Sequence, residues 1–229
     1  MVLIQFFLRV VALILLAATS TNAATGIVVP WNITAGQTEE LTIKTRIAED
    51  DHEARKRFNA YRVYLALEPP GWGAGPVCWL VWSVPLDTDR VNITIPADVA
   101  PDKTRIRISA SLYKTGKSTV NGYSYSSRTT LLGANGTWSQ RELDGWDSSA
   151  ENEISCYAFG CTRQCHIKYY TGDKTRYSDG SSEKDLDACI DQCIEDFEPR
   201  STGSGSSTVT TATWMLAAVL AAGIVNLAI

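Results

Sequence analysis

Apolar and polar residues alternate in short runs between residues 26 and 132. In the longest run, residues 104–113, Ile106, Ile108 and Leu112 share one side, while charged and hydroxyl side chains share the other. This alternation is typical of strands with one buried face. It predicts seven strands, at residues 27–30, 39–47, 61–67, 77–84, 91–95, 104–113 and 122–131.

Seven short strands without intervening helical patterns predict a mainly β fold, an immunoglobulin-like antiparallel β-sandwich over residues 24–132. Stretches rich in proline and glycine, at residues 69–76 and 96–101, predict loops. Residues 49–58 are highly charged, with acidic side chains before basic ones, which favours a short exposed helical turn. Residues 133–150 are interpreted as a connector.

The segment after the connector has helical periodicity instead. Residues 183–197 carry apolar side chains every three or four positions, and residues 151–168 predict a partner helix. Each segment has two cysteines four residues apart, which places both on one face of a helix. We therefore expect residues 151–198 to form a small helical hairpin stapled by disulfides.

Six cysteines are present, and an even number in an exported chain predicts three disulfides, because the export route is oxidising. Facing antiparallel helices would bridge Cys161 to Cys193 and Cys165 to Cys189. Cys156 is then left for Cys78, which would tie the hairpin to the sandwich. Other pairings stay open, since spacing alone does not determine connectivity.

The N-terminal residues are typical of a secretory signal peptide. Arg9 precedes an apolar run at residues 10–18, and small or polar residues follow up to Ala23. Cleavage after Ala23 would remove residues 1–23. The alternative is an uncleaved membrane helix, for which the apolar run is short.

The C-terminal residues are typical of a glycosylphosphatidylinositol (GPI) anchor signal. A Ser/Thr/Gly linker, residues 199–213, precedes a hydrophobic tail, residues 214–229, without a basic flank. Gly203, or Ser204 after it, suits the attachment site because small residues and a polar spacer precede the tail. A retained single-pass helix is the alternative. Both ends together predict a secreted protein that a lipid anchor holds at the outer face of the plasma membrane or in the cell wall.

Three Asn-x-Ser/Thr motifs, at Asn32, Asn92 and Asn135, predict N-glycosylation in an exported chain. For Asn92 the strand alternation agrees with the motif. Val91 and Ile93 point inward in the predicted strand, so Asn92 points toward solvent.

Charge divides the mature chain into two parts. Residues 24–141 hold 14 basic and 11 acidic side chains, whereas residues 142–198 hold 5 basic and 14 acidic ones. No cluster of Lys and Arg resembles a nucleic-acid surface, so we expect no nucleic acid as a partner. The acidic part either has a solvated surface or docks on the basic strands.

Residues able to support catalysis are few. His52 lies in a charged segment, and His166 follows Cys165 without the cysteine spacing of haem attachment. Cysteines in disulfides supply no thiolates to zinc, and the carboxylate pairs lie in polar loops that would not raise a pKa. We expect no enzyme activity, catalytic residue, metal or cofactor.

Tryptophans offer a possible ligand contact. Trp72 lies in a loop rich in proline and glycine, where it could stack on a sugar or a partner side chain or fold back over the sandwich. Trp79 and Trp82 lie on an almost wholly apolar strand, which predicts a place in the core.

The opening ATGIVVPWNITAG, the segment VNITIPADVAPDKTRIRISASLYK and the hydroxyl-rich strand after it resemble the fungal necrosis-inducing secreted effector family. The resemblance covers roughly residues 24–132. It implies a β-sandwich in a noncatalytic secreted protein of a fungus that interferes with receptor-associated kinases of plant immune signalling. Family members are typically small, released and largely free of cysteine, whereas this chain adds residues 156–193 and an anchor signal.

Three hypotheses for function follow. The first is a GPI-anchored fungal surface glycoprotein, non-catalytic, that serves adhesion, wall organisation or host contact. The second is a secreted effector that binds a host protein and suppresses immune signalling. The third is a module that binds wall polysaccharide through Trp72 and the strand aromatics.

Overall fold

The computed structural model describes residues 24–71, 73–117, 120–145, 151–170 and 181–197. The predicted signal peptide, residues 1–23, the linker with the anchor site and the hydrophobic tail lie outside these residues, and so does Trp72.

Nine strands lie within the described residues, where the alternation predicted seven. The run at 122–131 is divided in two because Ser126 interrupts the ladder: its hydroxyl accepts a hydrogen bond from the Ile108 N–H at 3.0 Å. The short strand Asn32–Thr34 was not predicted. The strands are β1 Ala24–Val28, β2 Asn32–Thr34, β3 Thr38–Thr45, β4 Ala60–Leu67, β5 Gly75–Pro85, β6 Arg90–Thr94, β7 Arg105–Tyr113, β8 Val120–Tyr125 and β9 Thr129–Leu132.

These strands form two sheets, and the fold is the predicted immunoglobulin-like sandwich. One sheet has the order β1-β3-β6, and the other has the order β2-β9-β7-β4-β5 with β8 also paired to β7. The pairs are antiparallel except for β2 and β9, which are parallel. The second strand, β2, thus pairs with the last strand, β9, while β1 belongs to the other sheet.

The core lies between the sheets and contains the side chains that the alternation placed inside. Tyr61, Val63 and Leu65 of β4 are fully buried there, as are Ile106, Ile108 and Leu112 of β7. Strand β4 is buried on its other face too, since all eight of its residues are inaccessible. Alternation gives no sign of this second covering.

Four α-helices complete the described residues: α1 His52–Arg57, α2 Gln140–Leu143, α3 Cys156–Tyr169 and α4 Ser181–Phe197. α1 is the charged turn expected at 49–58. The helix predicted at 151–168 begins five residues later, because the Ser155 hydroxyl caps α3 by accepting from Ala158 N–H and Ser155 is itself extended. Residues 154 and 155 instead pair with Trp79 at the open edge of β5.

Gly136 lies where the chain passes closest to a 3-10 turn, Ala97–Val99. A Cβ at this position would lie 2.8 Å from the Asp98 carbonyl carbon, 2.9 Å from the Ala100 nitrogen and closer still to the Asp98 carbonyl oxygen. All three are backbone atoms. They cannot move without breaking the bonds in which Ala97 and Ala100 carbonyls accept from Asn135 and Gly136.

Gly136→Ala is therefore expected to lower the free energy of unfolding by about 3 kcal/mol, the upper end of the cost of overpacking. Chemical denaturation followed by tryptophan fluorescence measures it. Gly73→Ala, with open space around its Cβ, is the matched control and should stay near wild type. Unchanged stability in Gly136→Ala would contradict this account.

Candidate recognition surface

Three disulfides join the described cysteines: Cys78–Cys156, Cys161–Cys193 and Cys165–Cys189. Their Cα atoms are 4.9, 5.7 and 5.8 Å apart, respectively, within the usual range for such bridges. These are the pairings predicted from the two cysteine pairs on facing helices. α3 and α4 thus form a stapled hairpin, and the first bridge fastens it to β5.

A buried ion pair docks α3 on the sandwich. The Arg163 guanidinium donates to both carboxylate oxygens of Glu142 at 2.9 Å, and both side chains are almost fully buried. Arg163 also donates to the carbonyls of Asp98 and Val99 at 3.0 and 2.6 Å. One arginine therefore links α2, α3 and the 3-10 turn, and Gly160 lets α3 approach Asp98 closely.

The three asparagines predicted to carry glycans are exposed. Asn92 lies on the outer face of the three-stranded sheet, between buried Val91 and Ile93 as expected. Asn32 lies on β2, at one edge of the six-stranded sheet, and Asn135 lies beside the 3-10 turn. Each side chain can be reached from solvent, while glycosylation itself stays a prediction.

Aromatic side chains concentrate on the outer face of the six-stranded sheet, at the end opposite β2. The register aligns four residues across neighbouring strands: Tyr125 of β8 lies beside Ser109 of β7, Ser109 beside Tyr64 of β4, and Tyr64 beside Trp79 of β5. Three inter-strand spacings make this row about 14 Å long. We call this surface the aromatic face, and it consists of Arg62, Tyr64, Trp79, Trp82, Ser109, Tyr123 and Tyr125.

The prediction that Trp79 and Trp82 are core residues is wrong. Both lie on the aromatic face, with Trp79 half-buried and Trp82 46% exposed. Irregular pairing between β4 and β5 changes which side chains of β5 point inward, so a continuous apolar run does not define its faces. Leu80 and Val81, which lie between the two tryptophans in the sequence, pack against the core.

The Trp82 ring is held in place from behind by Arg62. The guanidinium carbon lies 3.2 Å from the ring centroid, and its Nε donates to the Trp82 carbonyl at 3.1 Å. Trp79 packs edge-on against Trp82 with ring centroids 5.4 Å apart. A buried cation stacked on an indole is a strong contact, so the exposed side of the Trp82 ring is presented in a fixed orientation.

Glu151 and Asn152 add polar groups to the middle of this surface. The Asn152 amide oxygen accepts from the Arg62 guanidinium at 3.0 Å and from the Tyr64 hydroxyl at 2.7 Å, while Tyr123 donates to Glu151 at 2.9 Å. Burial raises the pKa of Tyr64, and burial together with the bond to Glu151 raises the pKa of Tyr123 further. Both phenols therefore remain hydrogen-bond donors at all physiological pH values.

Two polar atoms of the aromatic face are buried without a hydrogen-bond partner among the described residues: the Ser109 hydroxyl and the Trp79 indole nitrogen. Ser109 is wholly inaccessible and lies between Tyr64 and Tyr125. An unpaired buried polar group costs about 1 to 3 kcal/mol, so its persistence calls for an explanation.

Other residues singled out from the sequence lie elsewhere. His52 is exposed on α1, and His166 is buried on α3. Within the described ranges, no group of three or more histidine, cysteine or acidic residues is arranged to hold a metal ion. No helix in this part of the chain is both long and apolar enough to cross a membrane. Gly203, Ser204 and Trp72, the predicted anchor site and ligand contact, lie outside the described residues.

No protein-family model matches this chain, and neither does any curated protein. Among solved structures, a superoxide reductase (neelaredoxin) from Ignicoccus hospitalis is similar, with 11% identity, 48% of this chain and 80% of that chain covered, and a TM-score of 0.27. A chain in a structure of T cell specificity and activation by the bacterial superantigen toxic shock syndrome toxin-1 shows 10% identity, coverage of 47% and 98%, and a TM-score of 0.26. These likenesses are too weak to support an inference.

Proposed function

We propose that the protein is a glycosylated, GPI-anchored surface protein of a fungus that acts by recognition rather than catalysis, in adhesion, wall organisation or host contact. The observation that supports this best is the use of all six cysteines in three disulfides that fasten a helical hairpin to an immunoglobulin-like sandwich. Such a set of bridges persists in an oxidising compartment outside the cytosol.

The position of the hairpin is compatible with an anchor. α4 ends at Phe197, and Gly203 follows a few residues later in the sequence. A lipid attached at Gly203 or Ser204 would leave every described residue outside the membrane, with the three Asn-x-Ser/Thr motifs on the same side. The family resemblance of residues 24–132 is the reason to propose a fungal, non-catalytic protein.

Phospholipase C specific for phosphatidylinositol is expected to release the mature protein from intact fungal cells that express it. Enzymatic removal of N-glycans should lower its apparent mass. The decrease should become smaller by the mass of one glycan in each of three variants, Asn32→Gln, Asn92→Gln and Asn135→Gln. Asn59→Gln, an exposed asparagine outside any such motif, is the control that should change nothing.

Protein that is already soluble in the medium before treatment would contradict the anchor and favour a released effector. Protein that stays in the membrane after phospholipase treatment would contradict the anchor as well, and would indicate a retained membrane helix. A single unshifted band after glycan removal would contradict the glycoprotein part of the proposal.

A further inference from the structure

We propose that the aromatic face binds a neutral polysaccharide, with Trp82 and Tyr125 as the two stacking positions. The inference deepens the proposed surface function by naming its ligand, and it replaces Trp72 with residues that the structure places together. Trp82 is 46% and Tyr125 39% exposed, on strands at the two ends of a row about 14 Å long.

The chemistry of the aromatic face suits a pyranose chain. A sugar ring has C–H groups on its faces and hydroxyls around its rim, so it packs on a flat aromatic ring while polar neighbours bond its edge. Trp82 presents such a ring, which Arg62 fixes from behind at 3.2 Å. Between Trp82 and Tyr125 lie the Tyr123 hydroxyl, the Glu151 carboxylate and the Asn152 amide, which together can donate and accept hydrogen bonds.

Charge at the aromatic face favours a neutral ligand. Arg107 and Arg128 both face Glu68, at 3.5 and 2.8 Å, and Arg62 is joined through Asn152 to the neighbourhood of Glu151. These five groups carry three positive and two negative charges close together, so neither an anionic nor a cationic polymer meets a strong field of the opposite sign.

Two further observations point to the same surface. The Ser109 hydroxyl lies in the row between Tyr64 and Tyr125, wholly buried and without a protein partner among the described residues, an exception that calls for an explanation such as a functional role or a bound water. Asn92, one of the three predicted glycan sites, is on the other sheet, so a glycan there leaves the aromatic face open.

The test measures retention of the full chain, extracted in detergent, on three insoluble neutral polysaccharides: fungal glucan, chitin and cellulose. Wild-type protein should be retained on at least one of them. Retention on fungal glucan or chitin indicates a fungal ligand, and retention on cellulose indicates a plant ligand. Trp82→Ala and Tyr125→Ala should each weaken half-maximal retention about tenfold, the equivalent of one lost stacking contact. A soluble fragment of the same polysaccharide should displace the wild type.

Matched controls are Trp31→Ala and Tyr157→Ala, which remove exposed aromatic rings, 89% and 49% accessible, outside the aromatic face. Retention of both controls should stay within about twofold of wild type. Loss of retention in the controls equal to that in Trp82→Ala would overturn the proposal, as would wild-type protein that binds none of the three polymers. If Trp82→Ala fails to fold, Tyr125→Ala decides the question, because Tyr125 is on an outer strand and stacks on no buried cation among the described residues.

Phospholipase release from cells is a separate measurement. Since the binding assay uses detergent extract, a protein without a GPI anchor can still pass it, and an anchored protein can still fail it. Failure of the polysaccharide proposal and failure of the anchor are thus distinguishable. Retention that soluble sugar cannot displace would also count against the aromatic face as a sugar site.

Discussion

Replacing both Cys78 and Cys156 with alanine is expected to lower the free energy of unfolding by about 4 kcal/mol. The two residues are 78 positions apart, and closing so long a loop removes much of the conformational entropy of the unfolded chain. Both sulfurs are fully buried, and alanine leaves no polar group in their place. Denaturant unfolding of the full chain under oxidising conditions, followed by tryptophan fluorescence, gives the value.

The control for this prediction is Cys165→Ala with Cys189→Ala. That bridge spans only 24 positions, so the loop-closure account expects a smaller loss than for Cys78 and Cys156. A Cys78/Cys156 variant within about 1 kcal/mol of wild type would contradict the role given to this bridge. A larger loss in the hairpin variant would instead place the main constraint between α3 and α4.

The sequence predicts well those features that depend on local spacing. Alternation placed Ile106 and Ile108 in the core, and both are fully buried. Four-residue spacing put Cys161 and Cys165 on one helix face, opposite their partners. Each of these predictions depends only on the geometry of one strand or helix, or of two neighbouring helices that face each other.

Features that depend on a second layer of packing were not predictable in this way. Periodicity assigns one buried face to a strand, so it treats Arg62 and Tyr64 as solvent-facing, although Asn152 and Trp82 cover both. The partner Asn152 is about 90 positions away from Arg62, and no local pattern records so distant a contact. The error over Trp79 and Trp82 has a different origin, the irregular pairing between β4 and β5, which a continuous apolar run does not reveal.

Buried arginines show where the fold departs most from expectation. Arg62 and Arg163 are the largest fully buried side chains in the described part of the chain, yet charge alone would place them at the surface. Both join the sandwich to residues beyond position 132: Arg62 through Asn152, and Arg163 through its own helix. The sandwich and the hairpin thus share polar interior contacts as well as the Cys78–Cys156 bridge.

Arg163→Met is expected to lower the free energy of unfolding by about 4 kcal/mol. The substitution leaves the Glu142 carboxylate buried without its cation, and breaking one partner of a buried ion pair is strongly destabilising. It also removes the donors to the carbonyls of Asp98 and Val99, which hold the 3-10 turn against α3. Denaturant unfolding measures the loss, and hydrogen exchange should show faster opening of α3 than of β4.

A second substitution separates the charge from the packing. In Arg163→Met with Glu142→Gln, no buried charge is left unpaired, so the double variant should recover part of the stability lost in the single one. Arg55→Met is the matched control, because its partner Asp87 is 62% exposed and such surface pairs contribute about 0 to 1 kcal/mol. An Arg163 variant no less stable than the Arg55 variant would show that α3 is held by its disulfides and apolar contacts alone. If the double variant recovers nothing, the loss comes from the carbonyls of the 3-10 turn rather than from the stranded carboxylate.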